Sequence, residues 1–240
     1  MKTDRSIHNS VLGVLITAAA ALLCAVIDYL TKEENCDGWK GESDMDTYLS
    51  TPCIIRETCE GTVRIPILDE MFQRREIQCT GEINKESVYS MILQLRYLQT
   101  QDPEKEITIY VNSPGGSVSD GLALIDTMAA LRCPIRTVCM GTAASMAALI
   151  FASGNERDMM PHARVMIHDP LISGGVGGSA LKLDALAKDL MRTREITAQI
   201  LSDCTGNTLE EVYEKTAQDT YFSAKEALEW GLADRIIHKI

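Results

Sequence analysis

The sequence predicts an α/β fold built on a parallel sheet, and three observations predict it. From Thr62 onward, short apolar runs alternate with stretches that carry a helical period. Each apolar run stops on glycine, proline or a small polar residue, the punctuation of a strand–turn–helix unit. The spacing of the runs leaves room for a helix between each pair, which implies right-handed crossovers.

Taken in order, Arg75–Cys79 reads as a short strand. Asn84–Gln101 reads as a helix, with apolar residues at Val88, Met91, Ile92, Leu95 and Leu98 on one side. Ile107–Val111 is a strand that Pro114-Gly115-Gly116 should break, and a helix runs from Val118 to about Leu131. Ile135–Met140 is the next strand. Gly141 should then turn the chain sharply into a helix from Ala143 to about Ser153. Arg164–His168 is a further strand, closed by Pro170. After the glycine-rich stretch Ser173–Gly178, a helix from Ser179 to about Cys204 is long for an ordinary domain. Its apolar positions, Leu183, Leu186, Leu190, Ile196 and Ile200, need a partner to cover them. Thr208–Glu211 and Ser223–Glu226 each match a capping box that opens a short helix, and Gly231 should stop the second. Asp219 lies between them, just before the second helix.

At 240 residues the chain suits one domain of about 150–200 residues with an appendage. The division falls at residues 1–61 and 62–240. Hydrophobic content of 45% and charged content of 24% are ordinary for a globular protein. A net charge of −11 with no basic stripe argues against a nucleic-acid partner. The eight cysteines include no C-x-x-C pair, so they read as small buried hydrophobes in a reducing, cytoplasmic compartment. Within the first part, Val11 to Ile27 is uncharged and would span about 25 Å as a helix, the lower edge of a membrane crossing. A membrane anchor, a signal-peptide core and a helix buried in an assembly all fit it. From Lys32 to about Gly61 the chain is polar and reads as a linker.

In an open parallel sheet, sites gather at the carboxyl ends of the strands. Three segments fall at such ends: NSPGG, MGTAAS and IHDP. Ser145 in MGTAAS would emerge near a helix N-terminus, where unpaired N–H groups and the dipole favour negative charge. Taken alone, the motif reads more readily as a serine packed in an alanine-rich helix. His168 changes that. It is one of four histidines, and unlike His8, His162 and His238 it sits where the serine emerges and can act as its general base. Asp219 would accept the imidazole's other N–H and fix its tautomer. Asp169 is the alternative acceptor, although on an extended segment its side chain faces the opposite way. Gly115-Gly116 after a proline allows consecutive N–H groups to converge on an anion. The Gly116 and Met146 N–H groups are the candidate oxyanion donors. Nothing in the motifs requires a metal or a cofactor.

From about Val63 to Ile240 the chain resembles the proteolytic subunit of the Clp protease, the ClpP family. The resemblance rests on TGEI, PEKEITIYVNSPGGSVSDGLALIDTM, CMGTAASMAALIFASG, RVMIHDPL and YFSAKEALEWGLAD, in that order. It implies a crotonase-like fold of repeated ββα units with a protruding handle helix at Ser179–Cys204. It also implies a Ser145–His168–Asp219 triad with Gly116 and Met146 as oxyanion hole. The function implied is a serine endopeptidase working inside a barrel of two stacked heptameric rings. An AAA+ ATPase would unfold proteins and feed them in, while short peptides would be cleaved without it. No cofactor is implied in this subunit, since ATP is used by the partner.

Three departures stand out. Asp169 replaces the glutamine that often follows the catalytic histidine. Ala217-Gln218 replaces an acidic–arginine pair that commonly links the rings. The leader of about 60 residues is unusual. A non-catalytic ring partner of a second paralogue and a crotonase-like CoA enzyme are the competing readings. A membrane-bound serine–lysine peptidase lacks an evident lysine base here.

Overall fold

The computed structural model describes residues 52–59, 61–172 and 174–240. The apolar run Val11–Ile27 and the linker as far as residue 51 lie outside them. Among the described residues no helix is long and apolar enough to cross a membrane.

The described part opens on an antiparallel pair, β1 (Cys53–Thr58) and β2 (Gly61–Pro66). The linker reading is therefore corrected for Cys53–Thr58. The paired run CIIRET carries β-branched residues suited to a strand. A short helix α1 (Ile67–Gln73) leads into β3 (Glu76–Ile83), α2 (Lys85–Gln101), β4 (Ile107–Gly116), α3 (Val118–Ala130), β5 (Ile135–Ala144) and α4 (Met146–Ala152). Then come β6 (Glu156–Met159), β7 (Arg164–Ile167), α5 (Ala180–Thr205), α6 (Leu209–Thr216), β8 (Thr220–Ser223), α7 (Ala224–Glu229) and β9 (Arg235–Ile236).

The sheet runs β3-β4-β5-β6-β9, with β7 paired to the far half of β5 and β8 to β7. All of these pairs are parallel except β7–β8. This is the α/β architecture that the alternating pattern predicts. Its core is apolar side chains of β4 and β5, such as Ile107, Ile109, Val111 and Ile135, packed with α2, α3 and α4. The helix α2 buries Val88, Met91, Leu95 and Leu98, the stripe its period predicts. Asn84 caps it, accepting from the Ser87 N–H at 2.9 Å, while Ser87 Oγ accepts from the Asn84 N–H at 3.0 Å.

Two predicted breaks are not breaks. Pro114-Gly115-Gly116 does not end β4, because the chain stays extended and pairs Gly115 with Glu82 and Gly116 with Ile83 beyond a register shift. Nor does Gly141 turn β5 into a helix. The strand continues to Ala144, held by β7 through Ala143↔Val165 and Ala144↔Met166, and α4 starts only at Met146. Gly141 instead makes room for a side chain: a Cβ there would lie 2.6 Å from Asn112 Oδ1, which accepts the Thr142 N–H at 3.1 Å.

The long helix α5 has 26 residues, about 39 Å at the usual rise. Only Thr197, Ala198 and Leu201 on it are buried, while Leu181, Leu183, Met191 and Ile196 are exposed. It ends at Gly206, whose φ of 76° is the left-handed cap that favours glycine. Both predicted capping boxes form, at Thr208/Glu211 and Ser223/Glu226. Asp219 does not directly precede α7 as expected, since the four residues of β8 intervene.

Candidate active site

Ser145 occupies a single residue of turn between β5 and α4. Its φ of 55° and ψ of −123° are unusual for a residue with a side chain. The strain is held from both sides: the Ser145 N–H donates to the Met166 carbonyl at 2.8 Å, and its own carbonyl accepts from the Ala148 N–H at 2.9 Å. All seven residues of α4 are buried, so the helix cannot shift to relieve the turn. Met146, 2% exposed, fills the space that Gly121 of α3 leaves, where a Cβ would sit 2.8 Å from Met146 Cε.

The imidazole of His168 meets this hydroxyl directly, with Nε2 2.7 Å from Ser145 Oγ. His168 is the first residue beyond β7. The β7–β8 register explains what faces it: Ile167 pairs with Thr220, so one step outward sets His168 opposite Asp219. His168 Nδ1 lies 3.8 Å from Asp219 Oδ1, within ion-pair reach but beyond a hydrogen bond. The Asp219 side chain is 63% exposed against 14% for His168.

Of the two glycines, Gly115 presses on Ser145. With φ at +93°, a Cβ on it would lie 2.6 Å from the Ala144 carbonyl oxygen and 3.1 Å from the Met146 nitrogen. Gly116 backs onto β3 instead, where a Cβ would collide with the Ile83 carbonyl. Ser113 braces the segment: its hydroxyl donates to the Gly81 carbonyl at 2.5 Å and accepts the Gly115 N–H at 3.1 Å.

Asp169 is turned away from the imidazole, as an extended segment predicts. Its Oδ2 accepts from Arg194 Nε at 2.6 Å and its Oδ1 from the Thr216 hydroxyl at 2.6 Å. The sequence reading did not single out Asn112, Arg194 or Thr216. Asn112 lies in the NSPGG motif and could have been weighed with it, whereas nothing local in the sequence marks the other two. Among the described residues, no three His, Cys, Asp or Glu side chains gather as a metal site would. The buried thiols of Cys79 and Cys139 are pushed up by burial to about 12 and about 11, which keeps them protonated and inert as nucleophiles.

The sequence agrees with this geometry at family level. The family model described as Clp protease matches residues 60–240, most of the chain and every residue of the site. On that match the chain belongs to the Clp protease family, as a serine peptidase of the ClpP type.

Proposed function

We propose that the chain is the proteolytic subunit of a self-compartmentalised Clp protease, with Ser145, His168 and Asp219 as its triad. The observation that carries this reading is the 2.7 Å contact between His168 Nε2 and Ser145 Oγ at a strained strand-to-helix turn. In the first step Ser145 Oγ attacks the scissile carbonyl carbon and its proton passes to His168 Nε2. The carbonyl oxygen becomes an oxyanion, for which the Gly116 and Met146 N–H groups are the donors. Collapse breaks the C–N bond, and His168 returns the proton to the leaving amine. Water then attacks the acyl-enzyme with His168 as base, releasing the carboxylic acid and the serine. Asp219 orients the imidazole and stabilises its charged form.

The same reading includes two stacked heptameric rings, with α5 as the element buried between them. The exposed Leu181, Leu183, Met191 and Ile196 support that role. An AAA+ ATPase supplies unfolded protein and consumes the ATP, and the subunit itself needs no cofactor. We place the assembly in the cytoplasm, where its thiols stay reduced.

A fluorophosphonate probe on the assembled protein tests the chemistry. The label should map to Ser145, and Ser145→Ala should lose peptide cleavage while still assembling. Full turnover by that variant, or an assembled sample that takes no label, overturns the reading. The exposure of Asp219 and its 3.8 Å separation favour a second reading, a regulatory ring partner of an active paralogue. That protein would remain unlabelled alone yet co-assemble with the labelled paralogue.

A further inference from the structure

We propose that Asp169 is a positioning residue that sets the separation of His168 from Asp219 by tying the segment after the histidine to helices α5 and α6. The kinetic consequence rests on the hydrolytic reading above, whereas the positioning itself does not.

The β7–β8 ladder ends at the pair Ile167↔Thr220, so His168 and Asp219 lie just past the last paired residues. Backbone pairing alone would leave both free to splay. The next bonds outward are those of Asp169 with Thr216, and there are two. The Asp169 N–H donates to the Thr216 carbonyl at 2.7 Å, and the Thr216 hydroxyl donates to Asp169 Oδ1 at 2.6 Å. Thr216 is the last residue of α6, is 4% exposed, and precedes Asp219 by three residues. The spacing of base and carboxylate is thus pinned on the inner side by the ladder and on the outer side by Asp169.

The remaining oxygen of Asp169 reaches a second anchor. Arg194 of α5 donates to it from Nε at 2.6 Å, and the same guanidinium stacks over the Tyr213 ring of α6 at 4.0 Å. Two helices therefore converge on one carboxylate. Its partners also neutralise a negative charge next to the imidazole, so Asp169 is held as a brace and not as a second proton acceptor. The pair is half-buried, with Asp169 33% and Arg194 25% exposed, which leaves it accessible to mutational test without a buried unpaired charge.

The test uses the full-length assembled chain and the variants Asp169→Asn, Arg194→Gln, Thr216→Val and Thr216→Ser, with the Asp169→Asn/Arg194→Gln double. Three readouts are taken: kcat and KM on a short peptide, sedimentation, and the rate of His168 carbethoxylation by diethyl pyrocarbonate, located by peptide mapping. Thr216→Val and Asp169→Asn should lower kcat by about 10- to 100-fold with KM within about twofold, as expected for a displaced catalytic group. Thr216→Ser should restore most of the rate. The double variant should be no slower than the slower of its singles, because both remove one contact. His168 should react several-fold faster in Thr216→Val, roughly in line with a loosened imidazole. Unchanged kcat and unchanged His168 reactivity overturn the proposal, and so does a loss of rate that only tracks loss of assembly. If the unaltered assembled chain neither cleaves peptide nor takes a fluorophosphonate, the hydrolytic reading fails. Carbethoxylation then decides the positioning role by itself.

Discussion

Gly115 and Ser145 lie so close that a Cβ on the glycine would sit 2.8 Å from the serine Cβ. The contact joins the carboxyl ends of two adjacent parallel strands, β4 and β5, and it presses the diglycine backbone against Ser145 and the first N–H of α4. Close approach of this kind is available only where neither side chain nor a negative φ is required.

Gly115→Ala is expected to remove activity more completely than it removes stability. At φ +93° the alanine is strained by about 1–3 kcal/mol, and relief of the collision should move the N–H groups of Gly116 and Met146, the proposed oxyanion donors, off target. Loss of one donor alone costs about 100- to 1,000-fold in kcat. Peptide hydrolysis alongside a thermal midpoint checks this, and a folded variant with near-normal kcat would refute it.

Ser145→Gly tests the strain itself. Ser145 holds φ at 55° with a side chain present, and glycine accepts that conformation freely. The variant should be inactive yet more stable than the parent by about 1 kcal/mol, a rise of a few degrees in Tm. The comparison with Ser145→Ala matters, because alanine is equally inactive but keeps the strain. Equal midpoints for the two would mean that the turn is relaxed.

The difference between what was legible and what was not follows the range of the interactions. Helix α2 was readable because its signals are local: an Asn84 cap and the spacing of Val88, Met91, Leu95 and Leu98. The capping boxes at Thr208 and Ser223 were readable for the same reason. Strands β6 and β9 escaped, since the run Glu156–Met159 looks like charged surface. Its charges are satisfied only by distant partners: Asp158 by Arg136 and Arg235, and Arg157 by Asp234. The turn at Ser145 was misplaced to Gly141 because a positive φ on serine has no sequence signature. In the site, the residue types at strand ends pointed to Ser145 and His168. The lateral anchors of Asp169 depend on helices that are remote in sequence.

Asp219→Asn should lower kcat by about 10,000-fold, the loss expected when an imidazole is held in the wrong tautomer. The substitution changes no volume, and the residue is exposed, so Tm should move little. Single-turnover acylation by a chromogenic ester measures the effect. A rate within about tenfold of the parent would mean that another group orients His168.

Asp158 offers a stability prediction with a definite pH sign. Its side chain is wholly out of solvent, between Arg136 Nε at 2.7 Å and Arg235 Nε at 2.8 Å, and Arg235 also pairs with Glu156. Burial pushes the carboxyl up, but the hydrogen bonds from Arg235 and Arg136 and the charges of both outweigh it, holding the group below the usual carboxylate range. A folded-state pKa below the unfolded value, about 3.9 for aspartate, adds stability that is complete above that value and is lost as pH falls through the folded one. Asp158→Asn should therefore cost about 3 kcal/mol near neutrality, where two guanidinium groups lose their buried counter-charge. The deficit should shrink below about pH 4, where the parent surrenders the same interaction by protonation. Thermal midpoints of parent and variant should converge as the pH is lowered. Curves that stay parallel would assign the acid sensitivity to other groups.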